Sequence, residues 1–339
     1  MSDISRGTLV STRIRLARNL QGYPFPSHLK SEKQAKEIIR LVSSGLNRLD
    51  DFVLKYMDSV TEWEASSLKE NHLISPALIA NKRYSGVLIN GDRSISVMIN
   101  EEDHLREQCI LKGLHLRRAY ERLSEIDGKI NRSIKFAYDE QLGYLTACPT
   151  NLGTGLRASV MLFLPAITIN GAMREVVRII SRLGLTVRGI YGEGSEAEGY
   201  MYQVSNEVTL GVTEDEIIAQ VEEVARKICQ LEGAEREKLL HGKLGLAVKD
   251  KCMRAYGTAA NCAILTSGEL ASLAADIKLG ACLGYYSMPS LEELDDIVSR
   301  MQPCNILSAA GGQLTAEERD VYRAEYVCEH IRKLVKFSN

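Results

Sequence analysis

Hydrophobic residues recur at helical spacing early in the chain, between residues 31 and 49. The apolar positions fall mainly on one side of a helix, and they are Ile38, Ile39, Leu41, Val42, Leu46 and Leu49. This period is typical of a helix that buries one face. We therefore predict an amphipathic helix in this segment.

Alternation replaces helical spacing between residues 87 and 99. The apolar run Val87, Leu88 and Ile89 precedes Asn90-Gly91, after which Ile95, Val97 and Ile99 alternate with Ser94, Ser96 and Met98. This pattern predicts a β-hairpin, because Asn-Gly readily adopts the positive φ angles of a tight turn. Beyond residues 100–104, the leucines at 105, 111, 114 and 123 predict a long helix.

The last third of the chain has an almost entirely helical pattern. Capping boxes pair Thr213 with Glu216, Ser290 with Glu293 and Thr315 with Glu318. Strand-like runs at 157–164, 185–190 and 200–204 lie before this part, and the glycines and charges of residues 231–246 favour a boundary there. We therefore expect an α+β domain at residues 1–240 and an all-helical domain at residues 241–339.

Composition narrows the function. The 339 residues are 45% hydrophobic and 25% charged, with a formal net charge of -2. That balance provides no basic surface for bulk nucleic-acid or membrane binding. The eight cysteines form no C-x-x-C pair and the six histidines are scattered, so local spacing predicts no zinc site. The first residues carry charges and no apolar signal core, and we expect a cytoplasmic protein.

Three clusters combine arginine with small polar residues at predicted strand ends or loops. They are S-T-R-I-R at 11–15, C-P-T-N-L-G-T-G-L-R at 148–157 and R-G-I-Y-G-E-G-S-E at 188–196. Guanidinium groups bind phosphate oxygens in pairs, and glycine lets backbone amides approach an anion. No P-loop, dinucleotide-binding or protein-kinase motif is present. Together the clusters suggest an arginine clamp for a triphosphate, although each alone also fits a solvated strand or an ordinary turn.

A carboxylate-rich segment, N-E-E-D-H-L-R at residues 100–106, follows the hairpin. Capping of the predicted helix explains its polar residues equally well. However, Arg106 falls within one helical turn of the carboxylates. A guanidinium substrate has a pKa above about 12 and no free lone pair, so it needs a carboxylate that aligns it and accepts its proton before it attacks phosphorus. The segment therefore also fits phosphoryl transfer to nitrogen.

The motifs S-T-R-I-R, N-E-E-D-H-L-R and C-P-T-N-L-G-T-G-L-R-A-S-V, in this order, resemble those of the phosphagen (guanidino) kinase family. The resemblance covers roughly residues 8–210. It implies a mainly antiparallel sheet flanked by helices, and transfer of the γ-phosphoryl of MgATP to a guanidinium nitrogen. H-L-I-S-P at 72–76, R-G-I-Y-G-E at 188–193 and the helical last third are similar to the bacterial protein-arginine kinase branch. Because S-T-R-I-R begins at Ser11, we expect no preceding helical domain that encloses a small substrate.

The resemblance also implies roles for individual residues. The implied phosphate clamp consists of Arg13, Arg15, Arg106, Arg157 and Arg188. The other implied nucleotide-binding residues are Ser11, Thr12, Ile14, His72, Ala158, Ser159, Val160, Met161, Gly189, Ile190, Tyr191, Gly192 and Glu193. The implied catalytic group contains Glu102 as the base, Asp103 and Glu101 beside it, Glu193 or Glu196 to orient the guanidinium, and Cys148 near the cationic substrate. Mg²⁺ would be held mainly by the nucleotide.

A second candidate site lies near the C-terminus. Arg319 and Arg323 are adjacent on one helix face, which by spacing alone is usually a salt-bridged surface. R-D-x-x-R-A, however, resembles the phosphoarginine-binding motif of protein-arginine kinases, and it implies an allosteric site at Arg319, Asp320, Arg323 and Ala324. The same resemblance implies a homodimer, an McsA-like activator and a Clp protease that degrades the marked proteins.

Three functions remain open on the sequence. The first is phosphorylation of arginine side chains in proteins, and the second is a phosphagen kinase for small guanidines. The third is a non-catalytic adaptor that binds phosphoarginine. The intact carboxylates and arginines favour the two kinase functions. Tyr191 stands where small-guanidine kinases usually place another phosphate-binding arginine, and this keeps the non-catalytic adaptor open.

Overall fold

The computed structural model describes residues 6–46, 51–189, 198–312 and 314–337. An antiparallel sheet of eight strands is its central feature, in the order β2-β3-β4-β5-β1-β8-β10-β9. The strands are β1 (Leu9–Arg18), β2 (Val53–Tyr56), β3 (Gly86–Ile89), β4 (Ile95–Ile99), β5 (Leu105–Lys112), β6 (Tyr138–Asp139), β7 (Gly143–Tyr144), β8 (Leu156–Phe163), β9 (Leu185–Gly189) and β10 (Met201–Asn206). Strands β6 and β7 pair separately.

Helices pack on both faces of the sheet and form the last third of the chain. They are α1 (Glu32–Leu46), α2 (Glu62–Glu70), α3 (Pro76–Ala80), α4 (Leu116–Ser133), α5 (Pro165–Ile169), α6 (Met173–Arg182), α7 (Glu214–His241), α8 (Gly245–Ala259), α9 (Ser267–Cys282), α10 (Leu291–Arg300), α11 (Pro303–Ala309) and α12 (Ala316–Leu334). None of these described helices is long and apolar enough to cross a membrane.

The main core lies between the sheet and helices α1, α4, α6 and α7. Ile38 of α1, Leu123 of α4 and Val221 of α7 pack there against Ile14 and Val160 of the central strands. The amphipathic helix predicted between residues 31 and 49 is confirmed as α1 over its described part. The α+β class with an antiparallel sheet is also confirmed.

The predicted hairpin is confirmed as β3 and β4, but its turn differs from the expected one. Five residues, 90–94, connect the strands, and the positive φ of 56° belongs to Arg93 instead of Asn90 or Gly91. The Asp92 carboxylate stabilises this loop by accepting hydrogen bonds from the Asn90 side chain and from the backbone N–H of Ser94. The longer connection therefore replaces the tight Asn-Gly turn.

The predicted long helix begins later than the leucine pattern indicates. Residues 105–112 form strand β5, and α4 begins at Leu116. Leu105, Cys109 and Leu111 are separated by even numbers of residues, so they share one face of a strand, whereas Cys109 and Leu111 would lie on opposite sides of a helix. Antiparallel pairing with both β1 and β4 stabilises this segment as a strand.

The helical last third has its own core, formed by α8, α9, α10 and α12. Complete capping boxes at Thr213 and Thr315 are confirmed, whereas Ser290 caps only the backbone N–H of Glu293. A smaller cluster, including Phe163 of β8 and Leu279 of α9, joins these helices to the sheet. The predicted division at residues 240 and 241 falls at the end of α7 and stays a prediction.

A buried ion pair fixes α7 against the sheet domain. Arg236 donates to Glu232 at 2.9 Å and to the backbone oxygen of Arg6 at 2.8 Å, with 2% and 0% of the paired side chains exposed. The Glu232 carboxylate also accepts the backbone N–H groups of Ala166 and Ile167. This network therefore connects α7, α5 and the segment before β1.

Candidate active site

Strand β1 presents its arginines to the face of the sheet opposite the main core. Arg13 and Arg15 alternate with the buried residues Thr12, Ile14 and Leu16. Arg15 lies directly opposite Arg157 of β8, and Arg106 of β5 lies opposite Ala17 on the same face. Paired strand residues share a face, so the sheet register brings the arginines of three predicted motifs together.

Arg188 extends this arginine face to the edge strand. It pairs with Gln203 of β10, which pairs in turn with Met161 of β8, so its side chain shares the face of Arg157. Arg188 is exposed. Burial lowers the pKa of Arg157, and the positive charge of Arg188 is the second cause. The five arginines of the predicted clamp therefore lie on one side of the sheet, and we call them the arginine face.

The arginine face carries an excess of positive charge. Only Arg106 of the five has a salt bridge among the described residues, with Nη1 donating to the two Glu101 oxygens at 2.9 and 3.0 Å. Burial and the neighbouring Arg106 lower the pKa of Arg13 to about 10, and burial lowers the pKa of Arg15 well below its ordinary value. Since burial and mutual repulsion both disfavour these cations, an anion bound among them would relieve both costs.

Two unpartnered donors show where that anion fits. Nε of Arg15 and Nε of Arg157 are buried and have no hydrogen-bond partner. Buried donors are rarely left unsatisfied in folded proteins, because each costs free energy without a partner. A polyphosphate offers several acceptor oxygens at once, so the residues fit the triphosphate of a nucleotide.

The carboxylate segment forms the tight turn between β4 and β5. Asn100 adopts a φ of 58°, and its amide nitrogen donates to the backbone oxygens of Ala35 and Tyr84. Backbone hydrogen bonds join Asn100 to His104 and Glu101 to Asp103. The sequence pattern predicts a strand-to-helix junction here, and that prediction is wrong because a second strand follows. Arg106 therefore meets Glu101 across a hairpin.

The three acidic side chains of this turn have different surroundings. Glu101 is buried between Arg106 and the hydroxyl of Ser75. Asp103 is also buried, and it accepts from Asn19 and from the backbone N–H of Ala147, both at 2.6 Å. Glu102 is exposed, and desolvation followed by the charges of Asp103 and Glu101 raises its pKa. It is thus the carboxylate that is free to meet a substrate.

The loop containing Cys148 is drawn against the carboxylate turn and β1. Asp103 holds the backbone at Ala147, next to Cys148, whose half-exposed sulfur lies 3.1 Å from the Thr150 hydroxyl. Farther along, Gly155 has a φ of 63°, and a Cβ there would lie 2.6 Å from the oxygen of Ala17. Glycine is required at this approach because any side chain would strike the backbone.

A cleft of about 660 Å³ opens beside Arg13 and Arg106. His72 lines it with a φ of 59°, and its backbone oxygen accepts from Gln108 at 2.6 Å. Desolvation and then the Arg13 charge lower the pKa of His72 to about 4. His72 is therefore neutral at physiological pH and can act as a hydrogen-bonding wall of the cleft.

Strand alternation divides the other predicted nucleotide-binding residues. Ser11, Ser159 and Met161 belong to the arginine face. The side chains of Thr12, Ile14, Ala158 and Val160 point to the opposite side, so a contact of these residues with a nucleotide would use backbone atoms, and their nucleotide-binding role stays a prediction. Gly189 ends β9, whereas Ile190, Tyr191, Gly192, Glu193 and Glu196 lie outside the described residues.

The C-terminal motif is divided in a similar way. Arg323 is 1% exposed, and it donates through Nε to the oxygen of Met301 and through Nη1 to that of Leu265, both at 2.7 Å. Asp320 pairs with it, and Ala324 is fully buried. Arg319 is half-buried, and its guanidinium makes no hydrogen bond or salt bridge with the described residues. Arg319 is thus the arginine of the motif whose guanidinium is not already committed to a protein contact.

Sequence reasoning missed two residues that shape the site. Ser75 contacts the buried Glu101, and Gln108 holds the backbone of His72. Neither belongs to a charged cluster. Gln108 reaches the cleft from strand β5, and Ser75 reaches it as the N-cap of α3. Among the described residues, no three His, Cys, Asp or Glu side chains are grouped as metal ligands.

Comparisons with known proteins agree with this geometry. A family model of the ATP:guanido phosphotransferase C-terminal catalytic domain matches residues 33–235, and one of the protein-arginine kinase McsB C-terminal domain matches residues 245–339. The chain therefore belongs to the ATP:guanido phosphotransferase family and, within it, to the protein-arginine kinases. The predicted resemblance is confirmed.

The relatives match over nearly their whole length. The protein-arginine kinase of Caldanaerobacter subterraneus subsp. tengcongensis is 43% identical, over 98% of this chain and 99% of that protein. The protein-arginine kinase of Geobacillus stearothermophilus is 42% identical, over 96% and 90%. Among solved structures, lombricine kinase gives a TM-score of 0.60 at 26% identity, over 67% of this chain and 66% of that one.

Proposed function

We propose that this protein transfers the γ-phosphoryl of ATP to arginine side chains of other proteins. The observation that carries the proposal is the arginine face beside the exposed carboxylate of Glu102. The names of the full-length relatives, which are protein-arginine kinases, support a protein-bound arginine as the acceptor. A phosphagen kinase for small guanidines and a phosphoarginine-binding adaptor are the alternatives.

The arginine face binds the triphosphate in this proposal. Arg15 and Arg157 direct their unpartnered Nε donors to phosphate oxygens, and Arg13, Arg106 and Arg188 share the charge. The phosphoryl group carries spread negative charge in the transition state, so fixed guanidinium groups stabilise it without reorganising. Mg²⁺ bound by the nucleotide would neutralise further charge, and the enzyme's residues supply the rest.

Glu102 acts as the general base. Its carboxylate accepts a proton from the substrate guanidinium, and the freed nitrogen lone pair attacks the γ-phosphorus in line. A P–N bond forms as the bond between the γ-phosphorus and the bridging oxygen breaks, and ADP leaves with that electron pair. The raised pKa of Glu102 makes it a stronger base than an ordinary glutamate.

The remaining predicted residues act around this step. Asp103 positions the Cys148 loop through Ala147, so we assign it a positioning role. Cys148 lies beside the cationic substrate, and its influence is electrostatic. From the sequence motif alone, Glu193 or Glu196 supplies the second carboxylate that orients the guanidinium.

The wider context is also part of the proposal. The helical region, residues 241–339, forms a homodimer. It also binds phosphoarginine at the motif that contains Arg319, and this binding tunes the kinase activity. A cytoplasmic location, an McsA-like activator and delivery of the marked proteins to a Clp protease complete the proposed role. These assignments follow from the family resemblance.

The proposal is tested by incubating the protein with a loosely folded protein substrate and ATP. Acid-labile phosphate on arginine side chains, located by mass spectrometry at neutral pH, is the expected product. Free arginine in the same reaction serves as the competing acceptor. Product on free arginine only would establish the small-guanidine alternative, and binding of phosphoarginine without any transfer would establish the adaptor.

A further inference from the structure

The cleft continues past the arginine face to the helical region. One end is lined by Arg13, Arg106 and His72. The other end is closed by α9 and α10, which contribute Ala271, Ala274 and Val298 among its lining residues. The cleft therefore combines the cations Arg13 and Arg106 near the sheet with small apolar side chains and the charged pair Lys278 and Asp295 near the helices.

One ion pair stands at the helical end. Lys278 of α9 donates to both oxygens of Asp295 of α10, at 2.8 and 2.6 Å. The Lys278 side chain is only 4% exposed and lies over the ring of Phe163, whereas that of Asp295 is 37% exposed. Both residues line the cleft. The pair thus presents a carboxylate to the cleft and keeps its lysine behind it.

ATP carries a triphosphate at one end and a purine nucleoside at the other. If the phosphates occupy the arginine face, the nucleoside extends toward α9 and α10. Small side chains at Ala271 and Ala274 leave room for a flat purine ring, whose burial is favourable. An accessible carboxylate beside it is a suitable acceptor for sugar hydroxyls.

We propose that α9 and α10 form the nucleoside-binding wall of the cleft, and that Asp295 accepts hydrogen bonds from the ribose hydroxyls. Lys278 acts as a positioning residue, because its buried ammonium fixes the Asp295 carboxylate. This inference rests on the proposed function, since it requires that phosphates bind the arginine face. The helical region then contributes directly to nucleotide binding.

The test compares three probes as magnesium complexes: ATP, 2′,3′-dideoxy-ATP and inorganic tripolyphosphate. Their dissociation constants are measured by titration calorimetry for the full chain, for Asp295→Asn and for the control Asp296→Asn. The control changes the next residue of α10, which pairs with the exposed Lys112 and does not line the cleft.

Loss of one charge-assisted hydrogen bond corresponds to about a tenfold weaker affinity. We expect Asp295→Asn to weaken ATP by that factor, to remove the preference for ATP over dideoxy-ATP, and to change tripolyphosphate by less than about twofold. Asp296→Asn should bind all three probes as the unmodified chain does. Equal affinities of Asp295→Asn and Asp296→Asn for ATP would overturn the role of Asp295.

A second variant covers the case in which Asp295→Asn unfolds. Ala271→Gln narrows the helical end of the cleft, and Ser272→Gln places the same side chain on the exposed neighbouring position. Weaker ATP binding with unchanged tripolyphosphate binding in Ala271→Gln alone supports the wall. Unchanged ATP binding refutes it. If tripolyphosphate fails to bind the unmodified chain, the arginine face itself is not a phosphate site and the proposed function fails with it.

Discussion

Replacement of Glu102 by glutamine tests the proposed chemistry most directly. Glutamine has nearly the same shape, but it cannot accept the proton of the substrate guanidinium. Glu102 is exposed, and the salt bridge of Arg106 is made by Glu101. The substitution therefore removes the base and leaves the charge pairing of the arginine face in place.

The expected loss is in turnover. A positioned general base contributes about 10²- to 10⁴-fold to the rate, which is about 2.7–5.4 kcal/mol of barrier. Removing a negative charge near bound phosphates does not weaken ATP, so its dissociation constant should stay within about threefold. Glu140→Gln, at an exposed position in the turn between β6 and β7, is the matched control and should retain full activity.

The pH profile gives a second readout. Glu102 works in its charged form, and burial with the neighbouring Asp103 and Glu101 raises its pKa above the ordinary value of 4.5. Activity should therefore fall as the pH drops through this raised pKa, and that acid limb should be absent in Glu102→Gln. Initial rates of phosphoarginine formation measured between acid and neutral pH provide the assay. An unchanged acid limb, or equal losses of turnover and of ATP affinity, would refute the role of Glu102 as the base.

Four further substitutions test the physical arguments. Arg15→Met should weaken the affinity for ATP by about 10- to 150-fold, which corresponds to the loss of a charge-assisted contact. The same substitution should raise the unfolding temperature without nucleotide, because it removes a buried charge that its neighbours repel. A lower unfolding temperature would contradict this argument. Arg236→Met should lower the free energy of unfolding, measured in urea titrations, by about 3–5 kcal/mol, since Glu232 would lose its partner. A loss below about 1 kcal/mol, typical of an exposed pair, would contradict the view that this buried ion pair stabilises the fold. Arg323→Ala should destabilise the helical region, because the backbone oxygens of Met301 and Leu265 lose their hydrogen-bond donor. Arg319→Ala should leave stability unchanged and abolish the effect of added phosphoarginine on activity. Equal unfolding temperatures of the two variants would contradict these separate roles of the two arginines.

Local patterns predicted individual elements well where one period dominated. Helix α1 and the caps at Thr213 and Thr315 follow from side chains close in sequence, because helix formation and capping are local. The strand β5 was mispredicted because Leu105 and Leu111 were grouped with Leu114 and Leu123, of which only Leu123 belongs to α4. Its two neighbouring strands, which are distant in sequence, supplied the hydrogen bonds that decided the outcome.

The sequence by itself determined which chemical groups are present and, through its long motifs, the family. Only the tertiary structure decided which side chains meet, because strand register sets their faces. It placed Arg13 and Ile14 on opposite faces of the sheet, and it left Glu102 exposed while burying Asp103. It also made Arg323 a hydrogen-bond donor to backbone oxygens. It also brought Asp295 of α10 to the cleft that Arg13 lines. No local pattern contains that arrangement, since it depends on how the helical region packs against the sheet.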